Sequence, residues 1–463
     1  MFEFARELKR IFRVDSRLST PRVGLAGGDP ALLELLNLAL LKAEGEAVDA
    51  AVLHAAVAQR PAQRLIQSAV WREMARRTGS PEALRKAASA AELALTGIDR
   101  RAQAELWAQA RGQQAECAML GAELFGDDGL NAAADLALAE ARTAAGGSVA
   151  GAIAVVAQAL LEARTGAAAV DAAQARKAVA RFDGAVTALD AWARHRGSGR
   201  LPAAWAHAAR ADLLGDYAVR LGDAQLFDQA LTELGSALGP LDPAYEPLTW
   251  ARLTAVRGRL MTQLGQVTQD VTMVADGVDL MTTVFGRLSP DHSPLDWARA
   301  QRALGLGLWA LADLTDSGKA FEHALTCFDR ALVLLKAEPS LTLRATAAGE
   351  RGACLARHAE VCGDRGLLDG AEAALRCELA AEDPARDPVG WAVRQVNLAR
   401  VYEARADLGC DGSAERDRAA AALCGALDVF TEHGLRGLAD LTVEGLERLR
   451  AARPQGSSHG DRP

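Results

Sequence analysis

Few places in this chain bring together the residue types that chemistry needs. Gly318-Lys319 has the ending of a phosphate-cradling loop, in which backbone amides and a lysine surround a nucleotide's phosphates. Position 313, however, is Asp where that loop needs Gly, and Ala320 follows the lysine where a metal-binding hydroxyl belongs. Gly305-x-Gly307 falls inside a helical pattern with no strand ahead of it, so it lacks the context of a dinucleotide fold. The seven cysteines, at 117, 327, 354, 362, 377, 410 and 424, form no C-x-x-C pair and no Cys/His set with metal-ligand spacing. Most lie in apolar helical stretches and read as small core residues of a reducing compartment. The eight histidines (54, 195, 207, 292, 323, 358, 433, 459) are scattered and no H-E-x-x-H occurs; adjacent repeats would bring His323 and His358 near each other. Asp411-Gly412-Ser413 lacks the ligand ladder of a calcium loop. The paired acids Asp127-Asp128 and Glu382-Asp383 stand in turns marked by Gly or Pro, where solvation explains them. No catalytic, cofactor-binding or metal-binding residue is assigned, and the expectation is a protein that is not an enzyme.

The elements that would carry any site are set by composition. The chain has 463 residues, 50% of them hydrophobic but only 5% aromatic, and roughly a hundred are alanine. Bulky β-formers are scarce and the best helix former dominates, which excludes an all-β or α/β protein. Alanine-dense helices pack backbone close to backbone, which suits stacked helical hairpins better than one thick core. A net charge of -8 has the wrong sign for a general nucleic-acid binder. Only six of the 52 basic residues are lysine. No apolar run is long enough to span a bilayer, the longest being Val149 to Leu161 with Gln158 inside it. The expectation is a cytoplasmic, soluble chain.

Tryptophan marks a repeat. Pro202-Ala203-Ala204-Trp205-Ala206, Pro247-Leu248-Thr249-Trp250-Ala251, Pro294-Leu295-Asp296-Trp297-Ala298 and Pro388-Val389-Gly390-Trp391-Ala392 share the pattern P-x-x-W-A, at steps of 45, 47 and twice 47 residues. A fifth unit, Leu341-Thr342-Leu343-Arg344-Ala345, keeps the alanine and has lost Pro and Trp. Eight residues after the Trp position stand Gly258, Gly305, Gly352 and Ala399, and three further on Met261, Leu308, Leu355 and Tyr402. Small then large at i, i+3 lets a neighbouring helix approach and then fills the gap. Pro suits the first helical turn, with Ser293 and Asp387 as N-caps. Leu221-Gly222-Asp223, Asp316-Ser317-Gly318 and Cys362-Gly363-Asp364 read as the turns between paired helices. The predicted organisation is an amphipathic basic segment over 1–20, degenerate helical repeats over 21–200, regular repeats over 201–449 with units at 202, 247, 294, 341 and 388, and a disordered tail over 450–463.

Leu304-Gly305-x2-Leu308, then Ala324-x3-Phe328-x2-Ala331, then Pro339, resembles the tetratricopeptide-repeat consensus L-G-x2-Y, A-x3-F-x2-A and a closing Pro. Two departures stand out. The Trp precedes the Gly by eight residues rather than four, and the period is near 47 rather than 34. The array is thus similar to an elongated tetratricopeptide variant, with a HEAT-like stack open from period alone. The resemblance covers residues 200–450 well and the first 200 weakly. It implies an all-α fold, a right-handed superhelical array of antiparallel helix pairs, with a concave groove lined by each pair's first helix.

Carrying the family's groove positions onto this register gives Arg252, Arg259, Thr262 and Gln263, then Arg299 and Trp309, then Arg357, then Arg400 and Glu403, with Arg302 joining them. Such a strip suits an acidic or phosphorylated segment through charge-assisted bonds, or else arginine is simply the default polar residue here. The implied function is a non-catalytic protein–protein interaction scaffold or adaptor; the alternative is a regulatory sensor taking a small ligand or signalling peptide inside the superhelix. At the amino terminus Phe2, Phe4, Ala5, Leu8, Ile11 and Phe12 share one helical face, with Arg6, Lys9, Arg10 and Arg13 largely on the other. That pattern fits either a helix covering the end of the array or contact with an anionic membrane or a partner through residues 1–14.

Overall fold

The computed structural model describes residues 31–451 apart from 128, 166–170, 196–199, 337–341, 382–383, 386–387, 410–411 and 434–435. Among the described residues there are helices and turns and no strand. The α-helices in chain order are α1 (Ala31–Glu34), α2 (Leu38–His54), α3 (Arg60–Thr78), α4 (Pro81–Leu95), α5 (Ala104–Phe125), α6 (Gly129–Ala144), α7 (Val149–Thr165), α8 (Ala172–Val179), α9 (Asp183–His195) and α10 (Arg200–Leu221). There follow α11 (Ala224–Leu238), α12 (Pro247–Thr268), α13 (Val271–Thr283), α14 (Pro294–Thr315), α15 (Gly318–Leu335), α16 (Thr342–Cys362), α17 (Arg365–Ala381), α18 (Pro388–Asp407), α19 (Gly412–Glu432) and α20 (Arg436–Ala451). This is an all-α array of antiparallel helix pairs. Helix pairs run through residues 60–195 as well as through the Trp-marked region.

Local sequence explains where these helices stop and start. Pro61, Pro81 and Pro247 stand in the first turn of their helices, where the missing amide costs nothing. Asp223 caps α11 by accepting from the Gln225 and Leu226 amides, and Asp270 caps α13 in the same way. Ser293 accepts at its carbonyl from the Trp297 amide, but its hydroxyl donates to Asp296, 2.6 Å away. Asp387 and Pro339 lie outside the described residues.

The turn inside each pair is itself a repeat. Residues 222, 269, 316 and 363 all have positive φ, at 63°, 58°, 49° and 63°, and they stand 47 residues apart. After each one the next amide reaches back five residues, Asp223 to Ala218, Asp270 to Gly265, Ser317 to Ala312 and Asp364 to Ala359. That is the six-to-one bond of a Schellman ending, which satisfies a terminal carbonyl only if the residue before it is left-handed. Glycine fills the position twice; Gln269 and Asp316 hold the same conformation at a steric cost.

Two compact units divide the chain, Met1–Ala310 with Leu334–Thr342, and Leu311–Val333 with Leu343–Pro463. In the first, a continuous core runs from Val156 to Leu264 and includes Phe182, Tyr217, Phe227 and Leu260. Trp250 and Trp297 pack half-buried on a smaller cluster of Leu248, Ala251, Val284, Leu288 and Ala300. Trp297 meets Phe285 edge to face, with centroids 6.0 Å apart, so this Trp wedges against the end of the preceding helix pair. Glycine sets the spacing within a pair: a Cβ on Gly258 would stand 2.7 Å from the Gly277 carbonyl oxygen and 2.5 Å from the Met281 side chain. In the second unit the core joins Leu355, Leu368, Leu375, Leu398, Tyr402, Leu423 and Leu449. Phe321 stacks on His358 there, 5.3 Å between centroids.

Candidate partner-binding site

The arginines singled out along α12 and α14 are half-buried, and the chain supplies carboxylates beside them. Arg252 lies 3.3 Å from Asp296, Arg259 3.5 Å from Asp212 on α10, and Arg299 2.7 Å from Glu123 on α5 and 3.6 Å from Asp296. Arg302 is half-buried and engaged as well. Thr262 is buried and donates its hydroxyl to the Arg259 carbonyl. Gln263 Oε1 and Trp309 Nε1 are buried atoms with no hydrogen-bond partner among the described residues. In the second unit Arg357 pairs with Asp313 at 2.8 Å and Glu360 at 2.9 Å, and those hydrogen bonds push its guanidinium up. Glu403 is half-buried and 3.7 Å from Arg448; burial outweighs that cation and pushes its carboxyl up. Arg400 is exposed. Arg252, Arg259, Arg299 and Arg357, which sequence marks only as cations, are thus matched by acids, because an unpaired half-buried guanidinium loses hydration without recompense. Phe2, Phe4, Leu8, Lys9, Arg10, Ile11 and Phe12 lie outside the described residues.

Sequence reasoning missed the polar centre behind this strip. On α3, Glu73, Arg76 and Arg77 stand at i, i+3 and i+4, so all three share one face. Arg76 donates Nη1 to both oxygens of Asp296, at 3.2 and 2.9 Å, and bonds Glu73 through Nε and Nη2. Asp296, the third residue of a P-x-x-W-A motif, is fully buried and faces Arg76, Arg252, Arg299 and the Ser293 hydroxyl. Burial alone would raise its carboxyl, but those four partners hold it well below the usual carboxylate range. Glu73 is held low in the same way by Arg76, Arg77 and Arg252 against its own burial. The one available signal was Asp in a motif position held by Ala204, Thr249 and Gly390 in the other units.

The remaining chemistry is quiet. Among the described residues no group of three His, Cys, Asp or Glu side chains is placed to hold a metal ion. Burial pushes the thiols of Cys117 and Cys327 up to about 11 and that of Cys354 to about 12, which keeps them protonated and unreactive near neutrality. Among the described residues no helix is long and apolar enough to cross a membrane.

No protein-family model matches the chain, and no curated protein matches it. Solved structures do. A Rap protein complexed with competence and sporulation factor aligns over 85% of this chain and 98% of its own, at 10% identity and a TM-score of 0.46. Nro1, a hypoxic regulator of sterol synthesis described as a nuclear import adaptor, aligns over 65% and 94% at 13% identity and a TM-score of 0.35. A circular tandem repeat protein aligns over 89% and 95% at 14% identity and a TM-score of 0.27. This chain is an all-α helical-repeat protein.

Proposed function

We propose that this helical-repeat chain is a non-catalytic protein-binding scaffold whose first-helix faces take a partner segment rich in carboxylates. The observation that supports the reading is the row Arg252, Arg259, Arg299 and Arg302 along α12 and α14, each about two-thirds or more covered and oriented before any partner arrives. Partial burial makes each contact stronger than a fully exposed pair, and the chain's own Asp212 and Glu123 occupy positions that a partner's acids would exchange into.

The test compares a labelled oligo-glutamate peptide with oligo-glutamine of equal length by fluorescence anisotropy. The glutamate peptide is expected to bind in a salt-dependent way, and an Arg259→Gln/Arg302→Gln variant to lose about tenfold in affinity, or about 1.4 kcal/mol. Both substitutions leave Asp296 and its pairs in place, so the fold is retained. Equal binding of the two peptides, or an unchanged affinity in the variant, rejects the reading.

A further inference from the structure

Residues 31–37 are held to the rest of the first unit as a bound peptide is held. The four residues of α1 are too few for a helix that stands alone. Their anchors are instead three buried leucines, 32, 33 and 36, and a buried carboxylate, Glu34. That carboxylate accepts from the amides of Leu248 at 2.9 Å and Thr249 at 2.8 Å and from the Thr249 hydroxyl, more than two hundred residues along the chain. It thereby caps α12, whose own N-cap residue, Glu246, makes no side-chain cap. Arg77 is wholly buried and donates Nη1 to the Leu36 carbonyl and Nη2 to the Leu33 carbonyl, with Nε on Glu73. His292 Nε2 lies 2.7 Å from the Glu34 carbonyl oxygen; burial, with Arg77 beside it, pushes the imidazole down, so the neutral ring donates there.

On the receiving side every group is built for an occupant. Without residues 31–36, two guanidinium donors and the first amides of α12 would lose these hydrogen-bond partners. On the segment side the anchors are backbone carbonyls, one carboxylate and leucines, which any chain of the right pattern supplies. We propose that Arg77, His292 and the amino end of α12 form a peptide site, filled here by the chain's own residues 31–36 and exchangeable for a partner segment with a glutamate flanked by leucines. The proposal rests on reading the chain as a binder of acidic segments, at residues separate from the arginine strip.

A short tether holds its own segment at an effective concentration of about a millimolar, so a free peptide of micromolar intrinsic affinity binds the intact chain about a thousandfold more weakly than it binds the vacated site. The probe is a labelled peptide with the sequence of residues 31–38, titrated into the full chain and into its Glu34→Ala variant. The variant is expected to bind it at least about tenfold more tightly than wild type, and a peptide carrying Gln for Glu to lose that gain. Leu36→Ala in the chain, which keeps the carboxylate cap, is the second variant and is expected to give a gain in the same direction; far-UV circular dichroism verifies both folds. Absence of peptide binding, equal binding to wild type and variants, or equal binding of the Gln peptide overturns the proposal. Oligo-glutamate binding lost in Arg259→Gln/Arg302→Gln while the leucine peptide fails to bind would reject this site and leave the strip standing; the reverse pattern would reject the strip alone.

Discussion

Asp296 shows how much one side chain decides in this protein. It is fully buried, and three arginines from three helices turn toward it. Replacing one member of such a group leaves uncompensated charge inside, at a cost of about 3–5 kcal/mol. Asp296→Asn is therefore expected to lower the unfolding free energy by that order in urea; a loss below about 1 kcal/mol would mean that the arginines find water or other acids. His207 carries a second residue-scale prediction. Its Nδ1 lies 2.7 Å from Glu233 and its Nε2 3.2 Å from Asp190. The Glu233 hydrogen bond raises the imidazole's pKa against partial burial, with Asp190 adding to it. A raised folded pKa gives stability that is whole below about pH 6.5, the unfolded value, and is lost as pH rises through the folded value. Melting followed from pH 6 to pH 9 should show that loss, and His207→Gln should flatten it; an equal slope in the variant assigns the dependence to other groups.

At the scale of the helix pair, the repeated left-handed turn is the testable device. Gln269 and Asp316 occupy positions that Gly222 and Gly363 occupy in other repeats. A non-glycine residue there costs about 1–2 kcal/mol, offset in part by glycine's larger loss of chain entropy. Gln269→Gly is expected to gain up to about 1 kcal/mol, and Gly222→Ala to lose about 1 kcal/mol; the same sign for both would place the constraint elsewhere. Gly258 answers to packing instead. Its Cβ would meet the Gly277 carbonyl oxygen at 2.7 Å, so Gly258→Val must force two backbones apart, at about 1–3 kcal/mol. These features were legible in part. The turns at Gly222, Asp316 and Gly363 carry Gly, Asp or Ser as punctuation; the equivalent turn at Gln269 carries no glycine and was not read from sequence.

For the whole molecule, two compact units predict two unfolding transitions by calorimetry. Asp296→Asn, in the first unit, should shift one of them, and Leu423→Ala, a core truncation in the second, the other, each by the 2–5 kcal/mol order of a lost core contact. Equal movement of both transitions in either variant would show one cooperative body.

The sequence by itself determined the all-α class, the helix-pair repeat and most of its turns, because period, capping and helix propensity act between residues close together in the chain. It also marked the arginines of α12 and α14. Only the tertiary structure decided what those arginines face, since Asp296 meets Arg76 across 220 positions and Glu34 meets Thr249 across 215. A buried charge is satisfied by whatever the fold brings within about 3 Å, and no spacing along the chain records that meeting.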